Sequence, residues 1–217
     1  YMPEGYQLPV NADGSNRSVN KNWHEMLRDP SFYVMLLLLT SGAFFGMMII
    51  SQTSPMAQHM VGMSASAASL VVSILALSNV GGRIVCGYIS DKIGRINTLT
   101  IMLCIAVCGL ILLMLLGTQM IFFYIGICLV GVSYGAFLGV YPGFTADQFG
   151  ARHNTTNYAL MFTGMAIAGI TGPMVVSMLY RSTGTYEQAF FCAILLALAG
   201  LGLTVFYRVL QKKSVKE

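Results

Sequence analysis

The sequence predicts an all-α integral membrane protein whose chain crosses the bilayer six times. Three observations carry that prediction. Hydrophobic residues make up 56% of the chain and charged residues only 9%, against the roughly 25% charged of an ordinary soluble domain. Apolar runs long enough for a hydrocarbon core of about 30 Å, which takes about 20 helical residues, occur six times. The basic residues gather in loops that would share one side of such a bundle. The net charge of +4 therefore reflects topology. A nucleic-acid role, which needs a basic soluble face, is not expected.

The first nineteen residues, YMPEGYQLPVNADGSNRSV, mix Pro, Gly, Asn and Ser without an apolar period, the composition of a linker. They lack the charged start and short apolar core of a secretory signal. A linker opening on Tyr1 predicts a chain cut from something longer. Trp23, Met26 and Leu27 then fall at i, i+3 and i+4, with Lys21, Glu25 and Arg28 on other faces. That spacing predicts a short amphipathic helix in the headgroup region, broken by Asp29-Pro30 before the chain enters the bilayer. Residues 1–29 thus form a cytoplasmic linker with an interfacial helix, 30–209 the six-span bundle and 210–217 a basic tail.

The spans are predicted at 32–53, 65–89, 98–116, 120–141, 155–180 and 187–207. With both termini cytoplasmic, Arg17, Lys21, Arg28, Lys92, Arg95, Arg152, Arg208, Lys212, Lys213 and Lys216 all lie inside, and only Arg181 outside. That distribution obeys the positive-inside rule and predicts a multi-pass protein of the cell membrane, plasma or inner. Cys86, Cys104, Cys108, Cys128 and Cys192 sit within apolar runs and are expected to be reduced packing residues. His24, His59 and His153 fall in loops or at membrane margins, as do the carboxylates Glu25, Asp29, Asp91, Asp147 and Glu187. Proton relays use such groups inside the membrane, so these spans carry no expected proton path.

Small residues recur every fourth position at Gly131, Gly135 and Gly139 in the fourth span and at Gly164, Ala168 and Gly172 in the fifth. This spacing lets helix backbones approach closely, since helices in lipid associate by packing. Gly172-Pro173 removes a backbone donor and permits a kink in the fifth span towards its outer end.

Arg83 stands alone in an otherwise uncharged apolar stretch. A guanidinium stays protonated, and placing one at the centre of a membrane helix costs roughly 2.5–3.5 kcal/mol on insertion scales. It needs a partner, either helix carbonyls and neighbouring side chains or an anionic substrate. At 1.5 Å per residue, Arg83 lies about 12 Å along the helix from Asp91, near the bilayer centre. Its planar fork matches a carboxylate. Asn79, one turn earlier on the same face, is placed to orient the guanidinium or to meet the substrate.

After the second span the chain reads GYISDKIGR, residues 87–95, with Gly87, Asp91, Lys92, Gly94 and Arg95 at the positions of a Gly-x-x-x-Asp-Arg/Lys-x-Gly-Arg pattern. This resembles the loop signature of the major facilitator superfamily, where it follows the second span and, more weakly, the eighth. The resemblance implies a cytoplasmic gating motif in which Asp91 faces the positive end of a neighbouring helix near Asn154. Longer stretches sharpen it: WHEMLRDPSFY (23–33), SNVGGRIVCGYISDKIGR (78–95), YPGFTADQFG (141–150) and NTTNYALMFTGMAIAGITGP (154–173) resemble spans seven to eleven of the oxalate/formate antiporter family. The leading MPEGYQLP is similar to that family's central linker.

The resemblance implies that the chain is the C-terminal six-helix bundle of a twelve-span transporter, whose partner is an N-terminal six-span half of the same protein. Substrate would bind at the midplane between halves and cross by alternating access. It makes Arg83 the substrate-binding arginine and places Tyr134, Leu138 and Phe162 at positions that line the family's site. Members that exchange oxalate carry a lysine where this chain has Met165, a departure that leaves one cation in the membrane. A small monocarboxylate such as formate, pyruvate or lactate is therefore favoured, with oxalate possible, and exchange is the expected mode. A proton-coupled symporter, a non-transporting sensor and a six-helix channel remain alternatives. No Ser/His/Asp, Cys/His, phosphate-loop or metal-ligand constellation occurs in the sequence, so neither an enzyme nor a cofactor or metal site is expected.

Overall fold

Helix and its caps account for nearly all of the computed structural model, which describes residues 20–214. The linker expected at residues 1–19 and the last tail residues, 215–217, lie outside the described residues. The elements are α1 (Trp23–Leu27), α2 (Pro30–Val61), α3 (Ala65–Ile93), α4 (Arg95–Leu116), α5 (Met120–Phe149), α6 (Asn154–Met161), α7 (Thr163–Thr183) and α8 (Glu187–Ser214). Six stretches are long and apolar enough to cross a membrane, α6 and α7 together forming the fifth. Each contains its predicted span and extends it, by a few residues at the ends and by two turns beyond 53 in α2 and beyond 141 in α5.

Local chemistry fixes where the spans begin and turn. Asp29 caps α2, its Oδ1 accepting the Ser31 N–H at 2.8 Å, and Pro30 at the first helical position needs no donor. Ser64 caps α3 through the Ala67 N–H. Between α3 and α4 the reversal is a single residue, Gly94, at φ +92° and ψ 146°, a conformation only glycine adopts freely.

α2 and α5 form the inner pair and bury most of their surface, while α3 buries least. α3 and α4 pack on α5, and α7 and α8 on α2. The centre is aromatic: Phe45 of α2 meets Phe137 edge-on, and Phe137, Tyr141 and Phe144 lead along α5 to Tyr207 of α8, ring centroids 5.1–6.3 Å apart. The buried Tyr141 hydroxyl donates to the Met35 carbonyl at 2.8 Å, joining α5 to α2.

In four places the structure adds to or differs from what the sequence leads one to expect. The segment around α1 is also packed onto the bundle. Met26 is fully buried, the Lys21 N–H donates to the Phe149 carbonyl at 2.8 Å, and Asn157 Nδ2 donates to the Lys21 carbonyl at 3.0 Å, so the segment is strapped to the ends of α5 and α6. The fifth span is interrupted at Phe162, between α6 and α7, while α7 runs on through Pro173. Cys104 and Cys108 face outward from α4, and only Cys86 is buried. Among the described residues Asp91 makes no hydrogen bond to the start of α6 and pairs instead with Arg95, four residues on.

Candidate functional site

Arg83 opens onto a cleft of about 400 Å³ between α2, α3 and α5. α3 contributes Val72, Leu75, Ala76, Asn79, Val80 and Arg83, α2 contributes Met47 and Ile50, and α5 contributes Tyr134. The walls are apolar except for three groups: the guanidinium, the Asn79 amide and the Tyr134 hydroxyl. That is the composition of a small-ligand site, apolar surface with a few convergent polar atoms.

The three groups are committed unequally. Arg83 Nε donates to Asn79 Oδ1 at 3.0 Å, a bond natural to i and i+4 on one helix face. Among the described residues no carboxylate pairs with Arg83. Both terminal nitrogens of the fork are thus available to an anion. Asn79 is 7% exposed, and with its oxygen occupied by Arg83 its Nδ2 has no partner at all. A buried donor without an acceptor costs about 1–3 kcal/mol, a local cost carried next to Arg83. The Tyr134 hydroxyl finds only thioethers, Met47 Sδ at 3.7 Å and Met165 Sδ at 3.8 Å. Sulfur is a weak acceptor, and the proton remains available for a better one.

The residues expected from the sequence divide accordingly. Arg83, Asn79 and Tyr134 come together in the cleft, and Met165 stands directly behind Tyr134. Leu138, half-buried one turn along α5, and Phe162, at the α6–α7 break beside Tyr158, are not among its lining residues. Met47 and Ile50 were not anticipated, because nothing distinguishes them from other apolar residues of α2 until that helix is seen to face α3.

A second polar cluster closes the end of the bundle that carries the basic residues. Arg95 pairs with Asp91 at 2.5 Å and with Asp147 of α5 at 3.0 Å, and donates to Ser90 Oγ at 2.6 Å. Its guanidinium lies flat over Gly143, where a β-carbon would come within 2.7 Å. Gly94 supplies the turn that brings it there, and Lys92 covers the Tyr88 ring at 4.5 Å. Gly87 approaches the Gly139 carbonyl of α5. Asn154 donates instead to the Pro142 carbonyl at 3.2 Å. The glycine-and-charge motif therefore ties α3, α4 and α5 together through Arg95.

Outside the spans, Lys21 binds Asp29 at 2.6 Å. Burial pushes the Asp29 carboxyl up, but hydrogen bonds from Lys21 and Ser31 outweigh it and hold the group below its ordinary value.

Comparison with known proteins agrees with this architecture. Residues 3–173 match the family model described as Major Facilitator Superfamily. The chain is 27% identical over 158 residues to an uncharacterized MFS-type transporter, YhjX, of Escherichia coli K12, covering 72% of this chain and 39% of that protein. It is 26% identical over 197 residues to the oxalate:formate antiporter of Oxalobacter formigenes, covering 90% of this chain and 47% of that one. The chain thus spans somewhat less than half the length of these curated relatives. Among solved structures, the POT family transporter PepTSo superposes with a TM-score of 0.73 at 15% identity, over 82% of this chain and 37% of its own, a likeness of fold. Six spanning helices, a glycine-and-charge turn after the second and a family match over most of the length lead to one conclusion: the chain belongs to the major facilitator superfamily.

Proposed function

We propose that this chain is the C-terminal six-helix bundle of a secondary transporter that carries small carboxylates across the cell membrane by alternating access. Arg83 is the anion-binding residue, and the observation that carries the reading is its state: a fixed charge midway along an apolar helix, open to a cleft, with its fork unpaired and an orphan amide donor beside it. The apolar walls lower the local dielectric and strengthen the ion pair. One cation in the cleft, with methionine at 165, favours a single carboxylate such as formate, pyruvate or lactate, with oxalate the less favoured substrate. The similarity to the oxalate:formate antiporter supports the substrate class.

A second bundle, from the N-terminal half of the same protein, would close the open side of the cleft, and the basic end would be cytoplasmic. An anion bound at Arg83 neutralises the charge while the halves rock past each other, and an empty site leaves it unpaired. Exchange follows from that difference.

The test is uptake of labelled formate, pyruvate, lactate and oxalate by the intact parent protein in proteoliposomes, with and without unlabelled anion inside. The reading expects uptake accelerated by internal anion and abolished in Arg83→Ala. Uptake driven instead by an inward proton gradient, and indifferent to internal anion, would replace exchange by symport. Uptake unchanged in Arg83→Ala would end the proposed role of the arginine.

A further inference from the structure

We propose that Gly135 and Gly139 of α5 are positioning residues for this site: lacking side chains, they set the depth at which α3 seats against α5 and so hold Arg83, oriented by Asn79, where an anion can meet its fork. The inference rests on the carboxylate reading and extends it to residues that touch no substrate.

The two helices meet in register. Gly131, Gly135 and Gly139 face Leu75, Asn79 and Arg83, both series advancing by four. A β-carbon at Gly135 would run into the Asn79 carbonyl oxygen, and one at Gly139 into the Arg83 carbonyl oxygen, with the Arg83 Cα only 2.9 Å away. The contact is reciprocal, for a β-carbon at Gly82 of α3 would run into the Val132 carbonyl of α5. These obstacles are helix backbone and cannot rotate aside. An added methyl is accommodated only if α3 moves bodily away from α5, by about 1 Å to restore an ordinary contact. Gly131 differs, since the first atom its methyl would meet is Leu75 Cδ1 at 2.8 Å, the end of a flexible side chain.

The α3 residues that rest on Gly135 and Gly139 are the same two that carry the polar side chains of the cleft. Asn79 Oδ1 accepts from Arg83 Nε at 3.0 Å, so the seating of this turn of α3 also orients the fork that opens onto the cleft. Tyr134, the third polar group, is the immediate neighbour of Gly135 on the opposite helix. Sliding α3 outward therefore separates Asn79 and Arg83 from Tyr134 without touching any of them. Misplacement of about 1 Å in a binding constellation costs on the order of 100-fold in a demanding site, and glycine inside a helix costs about 1 kcal/mol relative to alanine. Glycine at these two positions is accounted for by the closeness of the contact.

Packing alone has its own glycines in this bundle, which supply a control. Gly109 of α4 and Gly126 of α5 face each other's carbonyls at 3.2 and 3.1 Å, at an interface that does not line the cleft.

The experiment compares wild-type parent protein with Gly135→Ala, Gly139→Ala and Gly109→Ala in proteoliposomes, using labelled formate, pyruvate, lactate and oxalate. KM for the transported anion is expected to rise about tenfold or more in Gly135→Ala and Gly139→Ala, with losses of Vmax and melting temperature no greater than in Gly109→Ala. An unchanged KM, or an equal rise in Gly109→Ala, overturns the inference. Spin labels at Ile50→Cys and Val80→Cys, with the native cysteines replaced, read the cleft's width independently of substrate. The distance is expected to lengthen in Gly139→Ala, and an unchanged distance also overturns the inference. If wild type moves none of the four anions while the labels separate, the substrate reading fails and the positioning stands. Should both site variants fail to fold, Gly131→Ala carries the same two readouts with a smaller shift, and no shift in either overturns the inference.

Discussion

On the proposed carboxylate reading, the residue on which specificity would turn is Met165. Its sulfur lies 3.8 Å from the Tyr134 hydroxyl and the side chain is 7% exposed, so a cation there would stand against the same cleft that Arg83 opens onto. A dianion held by one guanidinium leaves a charge uncompensated, and at about 4 Å an additional ion pair in a partly protein environment is worth about 4 kcal/mol before desolvation is subtracted. Met165→Lys in the parent protein is therefore expected to shift the oxalate-to-formate preference towards oxalate by about tenfold or more; competition uptake measures the ratio, and an unmoved ratio would refute the role of position 165. Arg83 and Asn79 were legible in the sequence because a charge in an apolar run needs a companion and i, i+4 supplies it on the same helix. The neighbours of Tyr134 were not legible, since Met47 and Met165 reach it from other helices and a thioether carries no mark of being a partner. Leu138 and Phe162 came from family resemblance, and neither is among the residues that line the cleft.

Among the elements, the spans were readable because length and hydropathy suffice in a bilayer. The break in the fifth was not: Pro173 offered a visible cause for a kink, whereas the interruption falls at Phe162, where no proline or glycine occupies the site. The strap before α2 was half legible, its amphipathic spacing plain but its docking onto α5 and α6 hidden in backbone hydrogen bonds. Asp29 gives that strap a pH dependence. Its folded carboxyl titrates below the ordinary value, so the stabilisation is fully present above the unfolded pKa of about 3.9 and is lost as pH falls through the lower folded value. Lys21 is 35% exposed, and screening keeps the pair to about 1 kcal/mol or less. Asp29→Asn retains a capping oxygen but loses the ion pair. Its melting temperature is expected to lie below that of wild type at neutral pH, the gap closing only at pH below the usual carboxylate range. A gap that persists unchanged into strong acid would assign the stabilisation elsewhere.

For the whole molecule, the outward faces of two neighbouring helices say which side meets lipid. On α4 the exposed positions three and four apart are Ile101, Cys104, Cys108, Ile111 and Leu115, all apolar, as a helix against hydrocarbon requires. α3 is exposed along two stripes: Leu70, Leu77, Ile84 and Tyr88 are large, whereas Ser69, Ser73, Ala76, Val80 and Arg83, on the side that opens to the cleft, are small or polar apart from Val80 and end in the charged residue. The Ser69 and Ser73 hydroxyls turn back on their own helix, donating to the carbonyls of Ser66 and Ser69. A lipid-facing surface gains nothing from small side chains, whereas a surface closed by a second bundle needs them for close approach. Bulk should therefore be tolerated on one face and not on the other. In the intact parent protein, Ile111→Trp is expected to leave expression, monodispersity in detergent and carboxylate uptake near wild type. Ser73→Trp, one turn from the cleft on the small face, is expected to abolish uptake while the protein still reaches the membrane. Equal tolerance at both positions would mean that the α3 face meets lipid too, and with it the cleft would lose the second wall that alternating access requires.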